Sequence, residues 1–319
     1  MSFILGVDIG GTGIKLGIVD DSAAAAPVSR EIAFGTIPTQ AGEGPERAAA
    51  RVHAWCEEQA GGAALAAAGV ACAGLIDGAR GVLHVSPNLA GWVDVPLRAL
   101  FERELGVPAA VENDANAAAY GEWRAGAGRG LRSFVCLTLG TGVGGGIVLG
   151  GSLYRGATGF AGEIGHAVIC ADGPPCACGS RGCLEALIGA PAIMRRAWEL
   201  YGARGGTAAG PGSNGSVEEL ARAAAAGDEI ALRVFAETGR FLGIGLANVV
   251  HILAPEAIAV GGGVAGAGEI LFGPARETLR RCVMDASMAE VRIVPAELGN
   301  RAAVLGAALL ARAEAAGAR

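Results

Sequence analysis

Three cysteines and one histidine lie in one short stretch of the chain. They are His166, Cys176, Cys178 and Cys183, in the pattern Cys-x-Cys-Gly-x-x-Gly-Cys. Three thiolates and an imidazole form a complete ligand set for a closed, tetrahedral structural zinc site. Ordinary buried thiols, or a disulfide in a secreted protein, are the alternatives. The tight spacing favours zinc, because the other cysteines are scattered.

The same stretch carries two carboxylates that a zinc site does not need, Glu163 and Glu185. A metal that fixes a loop while leaving acidic side chains available predicts a substrate-binding loop. Ordinary surface charge is the alternative interpretation of both residues.

Two glycine-rich turns each follow an apolar run and precede a second one, which predicts two β-hairpins. Such turns bring backbone N–H groups close to an anion without an intervening Cβ, as a phosphate site requires. Each turn alone is weak evidence, and neither is a Walker loop. The residues concerned are Asp8, Gly10, Gly11 and Thr12 in the first hairpin and Thr138, Gly140, Thr141 and Gly142 in the second.

Asn113 and Asp114 stand where a predicted strand runs into a predicted helix. Either side chain would serve as a helix N-cap. Alternatively, Asp114 is a general base that accepts the proton of a hydroxyl group during phosphoryl transfer. The two phosphate-type hairpins on either side favour the base.

Composition limits the class of protein. The formal net charge is −6, without the basic stripe expected of a nucleic-acid-binding surface. No apolar run is long and uninterrupted enough to span a membrane, and the N-terminus does not resemble a signal peptide. These features predict a cytoplasmic protein, where thiols bind metal or stay reduced.

Strand and helix patterns alternate along the chain, which indicates an α/β architecture. A loop is expected from Ala203 to Ser216. The predicted strands are 3–9, 14–19, 28–34, 70–73, 109–112, 134–142 with 143–149, and 257–260, and the predicted helices are 45–59, 114–123, 217–226, 231–250 and one from residue 301 onward.

Together these motifs, in this order, resemble the ROK family (repressors, open reading frames and kinases), and the zinc-linked motif is its most specific part. The resemblance implies a ribonuclease-H-like, actin- and hexokinase-type α/β fold with two domains around an interdomain cleft. The smaller domain would comprise residues 1–113 and 301–319, and the larger one residues 114–300.

The resemblance also implies roles for individual residues. Asp114 would be the catalytic base, and His166 would bind zinc through one ring nitrogen and face the sugar with the other. Asp8 and the two glycine turns would hold magnesium with ATP, and Gly262 and Gly263 would form the adenosine loop. The implied sugar contacts are Gly74, Asn88, Asn113, Asp114, Glu163, His166 and Glu185.

The implied activity is ATP-dependent phosphorylation of a hexose at its 6-hydroxyl. The stretch from Asn88 to Leu97 is most similar to zinc-containing bacterial glucokinases. N-acetylglucosamine, N-acetylmannosamine and fructose kinases share nearly every motif and are the alternatives. A transcriptional regulator of the same family is disfavoured because no helix-turn-helix precedes the first hairpin. A catalytically inactive sensor is disfavoured because Asp114 and both turns are present.

Lys15 is the only lysine of the chain, and it lies two residues beyond the position after Gly-Gly-Thr where many ROK kinases have lysine. This arrangement is similar to polyphosphate-using glucokinases, which typically lack the cysteine cluster. We therefore expect ATP as the donor, with Lys15 either near the phosphates or solvated. The resemblance also implies a homo-oligomer, a dimer or tetramer, with no nucleic-acid or membrane partner.

Overall fold

The computed structural model describes residues 2–20, 31–60, 64–203, 215–285, 288 and 290–317. The predicted loop at 203–216 lies almost wholly outside these residues, as does the predicted strand start at 28–30. Within the described residues the strands are β1 (Ser2–Ile9), β2 (Gly13–Asp20), β3 (Glu31–Pro38), β4 (Ala64–Cys72), β5 (Leu75–Asp77), β6 (Val82–Val85), β7 (Val93–Val95), β8 (Ala109–Asn113), β9 (Phe134–Leu139), β10 (Val143–Leu149), β11 (Ser152–Leu153), β12 (Ala257–Gly261) and β13 (Arg292–Pro295). The helices are α1 (Pro45–Ala60), α2 (Leu97–Leu105), α3 (Asp114–Ala125), α4 (Leu184–Ile188), α5 (Ala190–Ala203), α6 (Val217–Ala225), α7 (Glu229–Leu253), α8 (Glu269–Cys282) and α9 (Ala302–Gly317).

The first sheet has the strand order β3-β2-β1-β4-β8. Strands β1, β2 and β3 form an antiparallel meander, whereas β4 and β8 run parallel to β1. All but the first residue of β1 are buried, because this central strand is covered on both faces. Its apolar, β-branched composition is therefore that of a two-sided core strand, and the predicted first hairpin is confirmed.

The second sheet repeats this arrangement with the order β11-β10-β9-β12-β13. Strand β9 is central, and β12 and β13 run parallel to it. In both sheets the first strand of the repeat is central, with the next two strands on one side and the two parallel strands on the other. The duplication predicted from the two glycine-turn hairpins is therefore confirmed, as is the α/β class.

The helices follow their capping signals. Pro45 occupies the first helical position of α1, where its missing N–H costs nothing. Ser216 and Glu219 form a reciprocal capping box that starts α6. Observed bounds lie within three residues of the predicted ones for these helices and for α7.

No helix among the described residues is long and apolar enough to cross a membrane.

Several elements were not predicted, namely the small antiparallel sheet β5-β6-β7, the short strands β11 and β13, and the helices α2, α4, α5 and α8. The strands of the small sheet are only three or four residues long, too short to display a period in the sequence. Strand β3 also ends at Pro38 rather than at the expected residue 34.

The chain forms two compact units. The first unit comprises residues 1–132, 146–162 and 296–319, and the second unit comprises residues 133–145 and 163–295. This division differs from the expected boundaries, since α3 and residues 146–162 belong to the first unit. The predicted change of domain at residue 114 would have separated α3 from the terminal helix.

Helices α3 and α9 stay together because they pack at very close range. A Cβ placed on Gly306 of α9 would overlap the backbone of Ala117 in α3, so only glycine permits this approach. Gly121 of α3 faces Ala302 of α9 in the same way. Close backbone contact along both helices makes α3 part of the first unit.

Glu122 fixes the C-terminal end of α3. This side chain is fully buried, and its carboxylate accepts hydrogen bonds from the backbone N–H groups of Ala127 (3.0 Å), Glu297 (3.1 Å) and Leu298 (2.7 Å). It therefore ties the segment that leads into α9 to α3. Sequence patterning gave no signal of this role, because an acidic residue in a helix is usually solvated.

Replacing Glu122 by alanine should destabilise the first unit strongly. A hydrogen bond to a charged group contributes about 1.5–3 kcal/mol, so loss of three such bonds should lower the free energy of unfolding in urea by at least about 3 kcal/mol. Glu297→Ala is the matched control. It removes an exposed ion pair to Arg129 and should cost under about 1 kcal/mol. Equal stability of the two variants would contradict the assignment.

Candidate functional site

The carboxyl ends of three parallel strands meet at one edge of the first sheet. The register aligns Ile9 of β1 with Cys72 of β4, and Cys72 with Asn113 of β8. Open α/β sheets bind ligands at such an edge. The first unit therefore brings together Asp8, the Gly10–Thr12 turn, Gly74, Asn113 and Asp114, all of which were predicted from sequence.

Lys15 pairs with Asp8 across the first hairpin. The two residues are directly opposite in the register of β1 and β2, and the lysine Nζ lies 3.0 Å from Asp8 Oδ2. Asp8 is buried, whereas the lysine side chain is about one-third exposed, at 37%. The ammonium group of the only lysine therefore forms an ion pair with the acid that is predicted to hold the magnesium-nucleotide.

Thr39 holds the first glycine turn from behind. Its buried hydroxyl donates to the carbonyl of Gly10 (2.6 Å), and its N–H donates to the carbonyl of Thr12 (3.2 Å). Arg51 of α1 in turn donates to the Thr39 carbonyl. These hydrogen bonds to the carbonyls of Gly10 and Thr12 fix the backbone conformation of the turn. Thr39 was missed in the sequence because it lies outside the turn it supports.

The loop that carries Asn88 packs directly on the first turn. A Cβ on Gly11 would lie 2.9 Å from the Asn88 carbonyl oxygen. Gly74 begins the connection to β5 with a φ of 135°, a conformation that favours glycine. Its carbonyl accepts a hydrogen bond from the Asn113 amide (3.2 Å). Predicted phosphate and sugar residues are thus neighbours within the first unit.

Asn113 is the N-cap of α3, and its hydrogen bonds limit what else it can do. The side-chain oxygen accepts from the N–H groups of Ala115 (2.9 Å) and Asn116 (3.2 Å), while Nδ2 donates to Gly74. Both lone pairs of the oxygen are occupied, but one of the two amide hydrogens is not used by these bonds. Asn113 can therefore contact a ligand as a hydrogen-bond donor.

Asp114 is the first residue of α3 and is partly exposed. One carboxylate oxygen accepts from the N–H of Ala115 at 2.9 Å. Burial raises the pKa of the neighbouring Cys72 thiol well above its ordinary value, and the charges of Asp114 and Asp8 raise that pKa further. Both acids therefore act on the same thiol at the strand ends.

Glu112 organises the start of α3 and was not predicted. Its buried carboxylate accepts from the N–H of Asn113 (2.9 Å) and from the Asn116 side chain (3.1 Å). Arg155 donates to the other carboxylate oxygen from its Nε at 2.6 Å. This network holds the backbone on which Asn113 and Asp114 stand, and no local pattern pairs residues so far apart.

The second unit contains the other glycine turn. Thr138 at the end of β9 is in register with Gly261 of β12, and Gly140 N–H donates to the Gly142 carbonyl at 2.9 Å. A Cβ on Gly262 would overlap the backbone of Leu139. Two predicted sites are therefore adjacent at one edge of the sheet. They are the phosphate turn, Thr138 to Gly142, and the adenosine loop, Gly262 and Gly263.

His166, Cys176, Cys178 and Cys183 converge in the second unit, where one ligand atom from each lies within 4.8 Å of the others. The Cys178 and Cys183 sulfurs are 3.7 Å apart, and Cys176 Sγ is 3.6 Å from His166 Nδ1. Two thiolates on one tetrahedral zinc, at Zn–S distances of about 2.3 Å, are about 3.8 Å apart. The donor set and its spacing therefore fit a zinc ion.

The two acidic residues of this region differ in their surroundings. Glu163 is half exposed and lies 3.9 Å from His166 Nε2, the ring nitrogen that does not face Cys176. Glu185, two residues after Cys183, accepts a hydrogen bond from the N–H of Val143 at 3.0 Å. Its other oxygen lies 3.8 Å from Cys176 Sγ. Both predicted ligand contacts therefore border the cysteine cluster.

Comparisons with known proteins show which family the chain is similar to. The model of the ROK family matches residues 4–314. A glucokinase of Streptomyces coelicolor is 36% identical over 320 residues, covering 98% of each chain, and one of Thermotoga maritima is 37% identical over 310 residues, covering 96% of each. A crystal structure of a ROK family glucokinase from Streptomyces griseus in complex with glucose and AMPPNP has a TM-score of 0.82 at 37% identity, covering 98% of this chain and 99% of that one.

The capping role of Asn113 predicts a stability difference between two substitutions. Asn113→Ala removes the cap acceptor and should lower the free energy of unfolding by about 1 kcal/mol. Asn113→Ser also loses the amide donor but keeps an acceptor, and should stay within about 0.5 kcal/mol of wild type. Urea denaturation compares them, and equal losses in both variants would show that the Gly74 contact matters rather than the cap.

Proposed function

Because this chain belongs to the ROK family, we propose that it is a sugar kinase that transfers the γ-phosphoryl group of ATP to the 6-hydroxyl of glucose. The full-length identity to glucokinases supports the substrate and donor. The observation that carries the chemistry is the carboxylate of Asp114 at the sheet edge that also bears Asp8 and the first glycine turn. An acid beside a phosphate-type turn is the arrangement that phosphoryl transfer to a hydroxyl needs.

Asp114 is the proposed general base. As the sugar oxygen forms its bond to the γ-phosphorus, the hydroxyl proton passes to the Asp114 carboxylate, and the bond to the β-phosphate oxygen breaks to release ADP. The hydrogen bond from Ala115 orients the carboxylate. Glu112 and Arg155 hold the backbone beneath it, so the base keeps one position.

The sugar contacts follow from the hydrogen-bonding capacity of each side chain. Asn113 acts as a donor, since its oxygen caps α3. Glu163 and Glu185 accept hydrogen bonds from sugar hydroxyls, and His166 contacts the sugar through Nε2. Gly74 and Asn88 line the sugar site with their backbone, next to the first turn.

The nucleotide is proposed to bind through its phosphates to Gly10, Gly11 and Thr12 and to Thr138, Gly140, Thr141 and Gly142. Gly262 and Gly263 take the adenosine. Asp8 would hold the Mg²⁺ that accompanies ATP, and this cation would screen the charge of the phosphates. The ion pair of Lys15 with Asp8 supports a position of Lys15 near the phosphates. ATP is the proposed donor over polyphosphate, because no other lysine extends a basic surface.

Zinc is the proposed structural metal of the cysteine cluster. Zinc bound to three thiolates and His166 would fix the loop that carries Glu163 and Glu185. With Cys176 as a thiolate, no S–H remains to donate to Glu185, which leaves that carboxylate oxygen available for a sugar hydroxyl. Binding through Nδ1 would orient the imidazole so that Nε2 is presented to the substrate.

Asp114→Asn should abolish most turnover, because an amide cannot accept the hydroxyl proton. We expect kcat with glucose and ATP to fall by roughly 10²–10⁴, with glucose KM changed only a few-fold. The exposed Glu277→Gln serves as a control for the loss of one charge. If Asp114→Asn turns over at the wild-type rate, Asp114 is only part of the helix terminus.

Sugar selectivity tests the substrate assignment. Glucose should exceed N-acetylglucosamine, N-acetylmannosamine and fructose in kcat/KM by at least about tenfold, which corresponds to ~1.4 kcal/mol in the transition state. Steady-state assays with ATP measure this, and parallel assays with long-chain polyphosphate test the donor. A preference for an amino sugar would contradict glucose as the substrate, and faster turnover with polyphosphate would contradict ATP as the donor.

Metal content tests the cysteine cluster. Purified protein should contain about one zinc per chain, and Cys178→Ser should lower both zinc content and glucose affinity. Cys282→Ser, an exposed thiol outside the cluster, should change neither. Elemental analysis and direct glucose-binding titrations provide the two readouts. Zinc-free protein that binds glucose normally in strong chelator would refute a structural zinc.

A further inference from the structure

The two oxygens of Glu185 face different parts of the second unit. Oε2 accepts from the backbone N–H of Val143, the residue that follows the Gly140–Gly142 turn, at 3.0 Å. Oε1 lies beside Cys176 of the cysteine cluster. Glu185 is thus a direct link between the metal-binding loop and the second glycine turn, in addition to its proposed contact with the sugar.

The chain around Glu185 presses on the same turn at several further points. A Cβ on Gly142 would lie 2.6 Å from Glu185 Oε2, so the carboxylate rests against the turn itself. Gly165 approaches the Val143 backbone too closely for any side chain. Ala190 N–H donates to the Gly140 carbonyl at 2.8 Å. The turn is therefore contacted both by a residue that precedes the three cysteines, Gly165, and by residues that follow them, Glu185 and Ala190.

From these contacts we propose that Glu185 is a positioning residue for the second phosphate turn, and that it sets nucleotide affinity in the absence of sugar. This inference rests on the proposed function, because it requires that the Gly140–Gly142 turn binds phosphate. Glu185 would not touch the nucleotide. It would act through Val143, whose N–H it keeps occupied, and so fix the direction of the N–H groups left for the phosphates.

This role needs a hydrogen-bond acceptor and not a negative charge. A carboxylate close to a phosphate site repels the phosphate, so loss of its charge alone should not weaken nucleotide binding. Glutamine at position 185 keeps an acceptor oxygen for Val143, whereas alanine leaves that N–H without one. The two substitutions therefore separate positioning of the turn from charge.

The experiment measures the Kd of AMPPNP with Mg²⁺ by calorimetry, without sugar, for the zinc-loaded full chain. Glu185→Ala should weaken binding by at least about tenfold, and Glu185→Gln should stay within about threefold of wild type. Glu277→Ala, which removes an exposed acid of α8 paired with Arg281, is the control for one lost charge and should bind normally. Thermal unfolding and zinc content are recorded for every variant.

Several outcomes would overturn the inference. Wild-type affinity in Glu185→Ala, or an equal loss in Glu185→Gln, excludes positioning through the acceptor. If wild type itself fails to bind the analogue, the nucleotide site of the proposed function is wrong, which is a distinct result. Should Glu185→Ala not fold, Gly142→Ala gives a second test. Its methyl group would displace the Glu185 carboxylate, and unchanged affinity in that folded variant would also contradict the proposal.

Discussion

The hydrogen-bond register of the parallel strands is the constraint on which the candidate chemistry of the first unit depends. Pairing of β1 with β4 and of β4 with β8 places Ile9, Cys72 and Asn113 side by side. A shift of one residue in either pair would turn side chains to the opposite face of the sheet. Asp8 and Asp114 lie at the same edge of the sheet because all three strands end together, although the two residues are far apart in the chain.

Helix α3 carries the proposed base and is held at both ends by a buried acid. Glu112 binds its first turn and pairs with Arg155, and Glu122 binds the backbone beyond its last turn. Buried carboxylates are unfavourable unless hydrogen-bonded, and these two accept several donors each. The close glycine contacts with α9 add a third restraint. Together these restraints would keep the position of Asp114 constant during a catalytic cycle.

In the second unit, the loop of the cysteine cluster and the proposed phosphate turn are in contact through Gly165 and Glu185. The proposed zinc ligands, His166, Cys176, Cys178 and Cys183, belong to a loop whose residues Gly165 and Glu185 contact Val143. A local metal site can therefore affect both halves of the proposed reaction, the sugar through Glu163 and His166 and the nucleotide through the turn. This explains physically why a structural metal would be placed beside a kinase site without taking part in the transfer.

Short-range patterns determined much of what the sequence alone could predict. The cysteine cluster, the two glycine-turn hairpins and the cap at Asn113 each lie within about twenty residues, so spacing by itself specifies them. The family resemblance added the roles of Gly74, Asn88 and Gly262. Tertiary structure alone decided the pairs Glu112 with Arg155 and Glu185 with Val143, and the assignment of α3 to the first unit. These contacts depend on strand register and on helix packing between distant segments, which no local pattern encodes.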